Sequence, residues 1–331
     1  DQPRSRGLGD VYKRQERPEG YPDDLMLYRN ETPIQSIIDQ SDLTKDITDE
    51  SIRFIEENKD NQFFLYIAHP QPHVPLFASK DFNGSTGNGL FADVISEIDF
   101  SVGRVIEALE KNNLTENTIV VFTSDNGPWL SYGDHAGSSG IYREGKGTAW
   151  EGGQRVPCII KYPSEIKAKT IIDEPVMGID WMPTFSHITG SKLSDNKIDG
   201  KNIWPLLTQK ENKSPHKELY FYYRQNELHA VRSGNWKLYF PRSYRTLNGK
   251  PGGKDGMPVK YEYNEVKSNE LYNLKEDPSE MKNVYMENIE KAKELEKMGE
   301  NARQELGDAL TSRVGSGAVS YTHLRAHETE A

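Results

Sequence analysis

The sequence is short of three things, and each shortage removes a class of architecture or partner. It holds a single cysteine, Cys158, in 331 residues, so no internal disulfide can form and no disulfide framework supports the fold. No apolar run approaches the roughly 20 residues needed to span a bilayer, which leaves no candidate transmembrane helix. Basic residues are in deficit: 41 Lys and Arg against 51 Asp and Glu give a formal net charge of −10. Nucleic-acid binding draws on clustered cations that neutralise backbone phosphates, so a general nucleic-acid role is excluded and any anion site has to be local. Cys158 lies in the apolar stretch Arg155-Val-Pro-Cys-Ile-Ile-Lys161 and reads as a buried, inert thiol. The opening residues Asp1-Gln-Pro-Arg-Ser5 carry neither an initiator Met nor an apolar h-region, so no secretory signal is read there.

What remains is an ordinary globular composition, 35% hydrophobic and 28% charged, long enough for one large domain and a smaller one. Residues 1–15 (with Arg4, Arg6, Lys13 and Arg14 and almost no apolar periodicity) and residues 318–331 (after a Gly-Ser-Gly break) read as non-native tails. Between them, 16–213 reads as the larger domain and 214–312 as a small C-terminal subdomain.

Periodicity orders the larger domain. Asp46–Asn58 predicts an amphipathic helix, and Phe63-Phe-Leu-Tyr-Ile-Ala68 predicts a strand buried on both faces, opening into His69-Pro-Gln-Pro-His-Val-Pro75. Phe91, Val94, Ile95, Ile98, Val102, Val105, Ile106 and Leu109 recur at three- and four-residue spacing and predict a long one-faced helix. Thr118–Ser124 is a β-branched run that stops at Asp125-Asn126-Gly127-Pro128. Arg155–Tyr162 predicts a further strand, and Asp180–Thr189 a helix with Pro in its first turn and Gly190 at its stop. This alternation is the grammar of an α/β sheet, in which ligands collect beyond the carboxyl ends of strands. From Glu218 the texture changes to short aromatic runs at 219–223, 229–232, 235–240 and 270–273, which predict an antiparallel sheet, with a charged helix over 286–306. The Gly/Lys-rich segment 248–258 reads as an exposed loop.

Chemistry is offered at three places. Asp125 and Asn126 present a carboxylate and an amide oxygen at a strand end, a donor pair for a hard divalent cation, although Asp-Asn-Gly alone also describes a plain turn. Lys146 stands between Gly145 and Gly147, where backbone can approach a bound group and a fixed ammonium can stabilise anionic oxygens; alone, it also describes a solvated loop lysine. His73 can donate to an anion or pass a proton to a leaving oxygen, or simply be exposed in a Pro-rich loop.

The order of these pieces, His-x-x-x-His-x-Pro, then Ser124-Asp-Asn-Gly127, then Gly145-Lys-Gly-Thr-Ala-Trp-Glu-Gly-Gly-Gln-Arg-Val-Pro157, and late Glu270-Leu-Tyr-Asn-Leu-Lys-Glu-Asp-Pro278, closely resembles the sulfatase family, arylsulfatase-like members in particular. The resemblance implies an alkaline-phosphatase-like α/β fold, a mixed sheet flanked by helices, with a small antiparallel C-terminal subdomain. It implies a Ca2+ ion held partly by Asp125 and Asn126, Lys146 and His73 contacting a sulfate ester of an aryl or sugar substrate, and His135 facing that substrate. Glu151 and Arg155 are expected to brace the loop. The family's nucleophile is a formylglycine hydrate made in a Cys/Ser-x-Pro-Ser-Arg motif, which this sequence lacks; Cys158, followed by Ile159, Ile160 and Lys161, does not fit it. The early Asp-Asp pair that completes the metal site and a Gly-Lys-x-His segment are read as preceding this chain. The chain is therefore expected to be the C-terminal portion of a periplasmic or extracellular enzyme, without turnover of its own. Two rivals stand beside that reading: a phosphate- or phosphonate-ester hydrolase of the same superfamily, and a non-catalytic binder of sulfated glycans.

Overall fold

The structure is a computed structural model that describes residues 26–36 and 39–317; both expected tails lie outside the described residues. The chain opens with a hairpin not anticipated from sequence, β1 (Met26–Arg29) against β2 (Thr32–Ser36), turned at Asn30 with φ 55°. Helices α1 (Leu43–Glu57) and α2 (Leu90–Lys111) follow the expected apolar spacing. They pack Ile55 against Ala108 and Leu109, with Phe63 and Leu65 alongside.

The expected strand over 63–68 is not realised. No strand pairs with it among the described residues, and only alternate side chains are covered: Phe63 and Leu65 join the helix cluster, whereas Phe64 and Tyr66 are 73% and 79% exposed. A continuous apolar run predicts burial on both faces, but a second buried face needs a second packed layer, and among the described residues only the helix layer packs against it. The segment still delivers the loop that carries His73. That loop turns back into Leu76 and Ala78, which pack on Val94 and Ile98 of α2, and Gln71 braces it internally, its amide donating to the Pro75 carbonyl at 3.3 Å.

Strands β3 (Val120–Thr123) and β4 (Cys158–Lys161) pair antiparallel in register from Val120↔Lys161 to Thr123↔Cys158, with the single helical turn α3 (Glu151–Gln154) between them in sequence. Cys158 is exposed, not buried as expected. Among the described residues β4 has β3 as its one neighbour, so no further layer covers that position. Burial of the thiol itself still pushes it above its ordinary value, against a weaker opposing bond with Thr123, which disfavours the reactive thiolate. Helix α4 (Trp181–Thr189) stops where expected, at Gly190 in the left-handed region, and the short α5 (Trp204–Leu207) sets Trp204 and Leu207 against Ile160 and Tyr162.

The C-terminal part contains β5 (Leu219–Tyr223), β6 (Glu227–Ser233), β7 (Trp236–Tyr239), β8 (Arg242–Thr246), β9 (Glu262–Val266) and β10 (Glu270–Asn273). Four of them form an antiparallel sheet in the order β10-β7-β6-β5. Helix α6 (Ile289–Leu306) lays Ala292, Leu295 and Ala302 on Leu228, Val231, Leu238 and Leu271. Strands β8 and β9 pair separately; their polar sequences hid them from a hydrophobic-pattern reading. The segment 248–258 joins them and is docked at its middle, where the Gly253 N–H donates to the Ser131 carbonyl at 2.9 Å.

Aromatic packing and buried charge lock the two parts together: Trp150 is buried against Tyr239, Tyr244 and Tyr272, and beside it lies a cluster of buried charges. The ammonium of Lys237, on β7 and fully buried, donates to the Ala149 carbonyl at 2.7 Å and to Glu151 Oε1 at 2.8 Å. Glu280 is buried beside it, accepting from the Glu151 N–H at 2.8 Å and the Tyr239 hydroxyl at 2.5 Å. Arg232 reaches Glu151 at 3.3 Å. Burial acts to raise the Glu151 carboxyl, but Lys237 and Arg232 together hold it below its ordinary 4.5; burial pushes Glu280 up, with Lys237 opposing. Removing one member of such a cluster leaves an uncompensated buried charge. Glu151→Ala is expected to lower the free energy of urea unfolding at pH 7 by about 3–5 kcal/mol, and a loss below about 1 kcal/mol contradicts this account. Because the folded Glu151 carboxyl titrates below its unfolded value, its contribution is complete above pH 4.5 and fades as pH falls through the lower folded value. The gap between wild type and variant should close in that acid range and not at alkaline pH.

Candidate active site

Two turns cross at the end of β3. The first, Ser124–Pro128, leaves the strand; the second, 143–154, passes over it and is pinned by the buried Lys237–Glu151–Glu280 cluster. The crossing is tight: the Gly127 N–H donates to the Gly153 carbonyl at 3.0 Å and the Lys146 N–H to the Pro128 carbonyl at 2.8 Å. A Cβ on Gly127 would drive into the Gly152 carbonyl, so that glycine serves the crossing of two backbones and not only its own turn. Arg143 ties the far end down, donating to the Glu280 carbonyl at 2.8 Å and to the Tyr244 hydroxyl at 2.9 Å.

Asp125 is exposed and Asn126 half-buried at the strand's end. The Asn126 amide donates to Asp125 Oδ1 at 3.0 Å, and no cationic side chain pairs with Asp125 among the described residues. Side by side, a carboxylate and an amide suit a hard, oxygen-seeking cation. They amount to two ligands, and among the described residues no group of three or more His, Cys, Asp or Glu side chains is placed to hold a metal. The pair fits calcium as part of a ligand set, not as a complete one.

Lys146 and His73 are brought together through a residue the sequence reading passed over. Trp129, directly after the Ser124–Pro128 turn, has the Lys146 ammonium 5.0 Å from its ring centre and the His73 ring 5.7 Å away, edge-on; Tyr132 abuts it at 4.9 Å. The Lys146 ammonium has no carboxylate partner among the described residues, and the aromatic face favours the cation without neutralising it. His73 is exposed, and its Nδ1 lies 2.7 Å from the Val74 carbonyl. A carbonyl only accepts, so Nδ1 carries the hydrogen and Nε2 is the nitrogen left to meet a ligand.

His135 is placed differently. It is buried at the end of a short 3-10 stretch, Leu130–His135, beneath Gly256 of the docked loop, and its Nδ1 has no hydrogen-bond partner. Glu151 is a buried bracing group, whereas Arg155 reaches it only at 3.9 Å and stacks on Tyr142 instead.

The arrangement matches known proteins over most of its length. Residues 4–191 match the sulfatase family model and residues 214–318 the model for the C-terminal region of aryl-sulfatase. Human steryl-sulfatase is 37% identical over 247 residues, covering 71% of this chain and 42% of that protein. The arylsulfatase of Hemicentrotus pulcherrimus is 38% identical over 215 residues, covering 65% of this chain and 38% of that one. A solved structure from work on the metabolism of multiple glycosaminoglycans by Bacteroides thetaiotaomicron superposes with a TM-score of 0.68 at 28% identity, over 80% of this chain and 55% of its own. The chain thus spans less than half the length of these curated relatives. It has the alkaline-phosphatase-like α/β fold of its structural neighbours, with a C-terminal subdomain built on an antiparallel sheet. A sulfatase model matching more than half of its residues, in the same order as the crossing turns and the docked subdomain, makes the chain a member of the sulfatase family.

Proposed function

We propose that this chain contributes the metal-and-lysine part of a sulfuric ester hydrolase acting on aryl or sugar sulfates. The observation that carries the reading is the meeting of Lys146 and His73 at one indole ring, next to the oxygen pair of Asp125 and Asn126. Lys146 holds an ester sulfate by its charge, in a position where no carboxylate among the described residues competes for it. His73, with Nδ1 tied to Val74, presents Nε2 to the ester oxygen; in the imidazolium form, with both ring nitrogens protonated, Nε2–H passes its proton to the leaving oxygen and leaves the neutral Nδ1–H ring. Asp125 and Asn126 supply two of the six to eight oxygens that calcium takes; the ion, when bound, offsets charge on the reacting sulfate. His135 would reach substrate only with the 252–257 loop lifted from it. The nucleophile belongs to a Cys/Ser-x-Pro-Ser-Arg motif, converted to formylglycine, that is absent from these 331 residues. Residues 16–213 form the catalytic part, and 214–312 the small subdomain that braces it. No helix among the described residues is long and apolar enough to cross a membrane, and we place the parent enzyme in the periplasm or outside the cell on its resemblance to sulfatases.

Two outcomes follow. Incubated with an aryl sulfate and calcium, the chain should release no phenol above a Lys146→Ala control, and turnover above that control overturns the assignment of the nucleophile to a motif not in this sequence. In a full-length enzyme carrying these residues, Lys146→Ala should lower kcat by about 100-fold or more, as loss of a positioned charge does at a developing anion. An unchanged kcat removes Lys146 from the site.

A further inference from the structure

The same indole gathers a third cation, from the other part of the molecule. Arg245, on β8, places its guanidinium 5.9 Å from the Trp129 ring centre and 4.6 Å from that of Tyr261. Its orientation is fixed. Nε donates to the Lys146 carbonyl at 3.0 Å, with Nη2 directed at the same oxygen, and Tyr261 is itself held by accepting from the Ser131 N–H at 3.1 Å. Gly147 makes room for it: with φ +82°, a Cβ there would collide with the guanidinium. The Nη1 edge is left without a hydrogen-bond partner, and no carboxylate pairs with Arg245 among the described residues. In a chain of net charge −10, where most arginines near acids are paired with them, an oriented and unpaired guanidinium half-buried beside an unpaired ammonium is an exception that a ligand anion would explain.

We propose that Arg245 is a substrate-binding residue that the C-terminal subdomain supplies to the site. The substrate class it fits is a ring sulfate ester bearing a second acidic group, a carboxylate or another sulfate, in place of a neutral aryl sulfate. Lys146 and His73 take the ester sulfate, and Arg245, bonded to the Lys146 carbonyl, takes the second anion through Nη1. This rests on the sulfate-ester reading of Lys146, and the test separates the two.

Calorimetric titration of the chain with 4-nitrophenyl sulfate and with 4-carboxyphenyl sulfate compares esters that differ in one carboxylate. The wild-type chain should bind the carboxylated ester about tenfold more tightly, the worth of one charge-assisted hydrogen bond. Arg245→Gln should weaken both esters through Lys146 but cut that preference to about twofold or less, and Arg245→Lys, which keeps charge without the fork, should retain part of it. A preference that survives Arg245→Gln, or is absent from the wild-type chain, overturns the proposal. Lys146→Gln discriminates the underlying reading: it should weaken both esters alike, and if it weakens neither while Arg245→Gln still abolishes the preference, the anion contact at Arg245 stands and the sulfate role of Lys146 falls. Failure of the wild-type chain to bind either ester overturns both.

Discussion

The site depends on one buried ammonium. Lys237 lies in the core of the C-terminal sheet and is held there by the Ala149 carbonyl and the Glu151 carboxylate, both of which belong to the turn that carries Lys146. Isolated burial of such a charge is prohibitive, and pairing alone scarcely offsets it. The arrangement therefore survives only while the turn stays in place, with Glu280 and Tyr239 completing the hydrogen bonds. A solvated loop lysine becomes a fixed charge because the stretch on its C-terminal side is bolted to a second sheet. The subdomain holds the rest of the turn as well, since the Tyr244 hydroxyl accepts from Arg143 and Arg245 donates to the Lys146 carbonyl.

Glycine at the crossing and charge beneath it act on different scales. Gly127 lets two backbones meet, which fixes where Asp125 and Asn126 end relative to Lys146, while the buried cluster fixes whether the second turn is there at all. Trp129 then sits at the meeting point, between a loop from the helix layer bearing His73 and a strand from the subdomain bearing Arg245. Among the described residues the Lys146 and Arg245 side chains it gathers lack carboxylate partners in an acidic protein, so the local field runs against the overall charge.

Much of this could be read before any coordinates. The spacing of Val94, Ile98 and Leu109 located α2, the β-branched run before Asp125 located β3, and Gly190 located the end of α4, because each is a local pattern with a local cause. Motif order put forward Lys146, His73, Asp125 and Asn126 as candidate site residues. What stayed hidden was non-local. Glu280 and Lys237 look like surface charges in sequence, and only packing buries them against Glu151. Arg245 lies on a strand too polar for hydrophobic patterning to reveal, nearly a hundred residues from the turn it touches. Phe64 and Tyr66 misled in the other direction: apolar composition implied a strand buried on both faces, but burial depends on which layers are present to cover it. For His135, proximity to the motif in sequence pointed toward substrate, whereas the docked 252–257 loop covers it.

The central claim is that His73, Lys146 and Trp129 form a single anion site. Nuclear magnetic resonance of the isotope-labelled chain during titration with inorganic sulfate tests it most directly. The His73 ring, the Trp129 indole N–H and the Lys146 side-chain resonances are predicted to shift together along one saturation curve, and the curve should vanish in Lys146→Ala. Shifts that saturate independently, or a Trp129 resonance that stays still while sulfate binds elsewhere, would contradict the account.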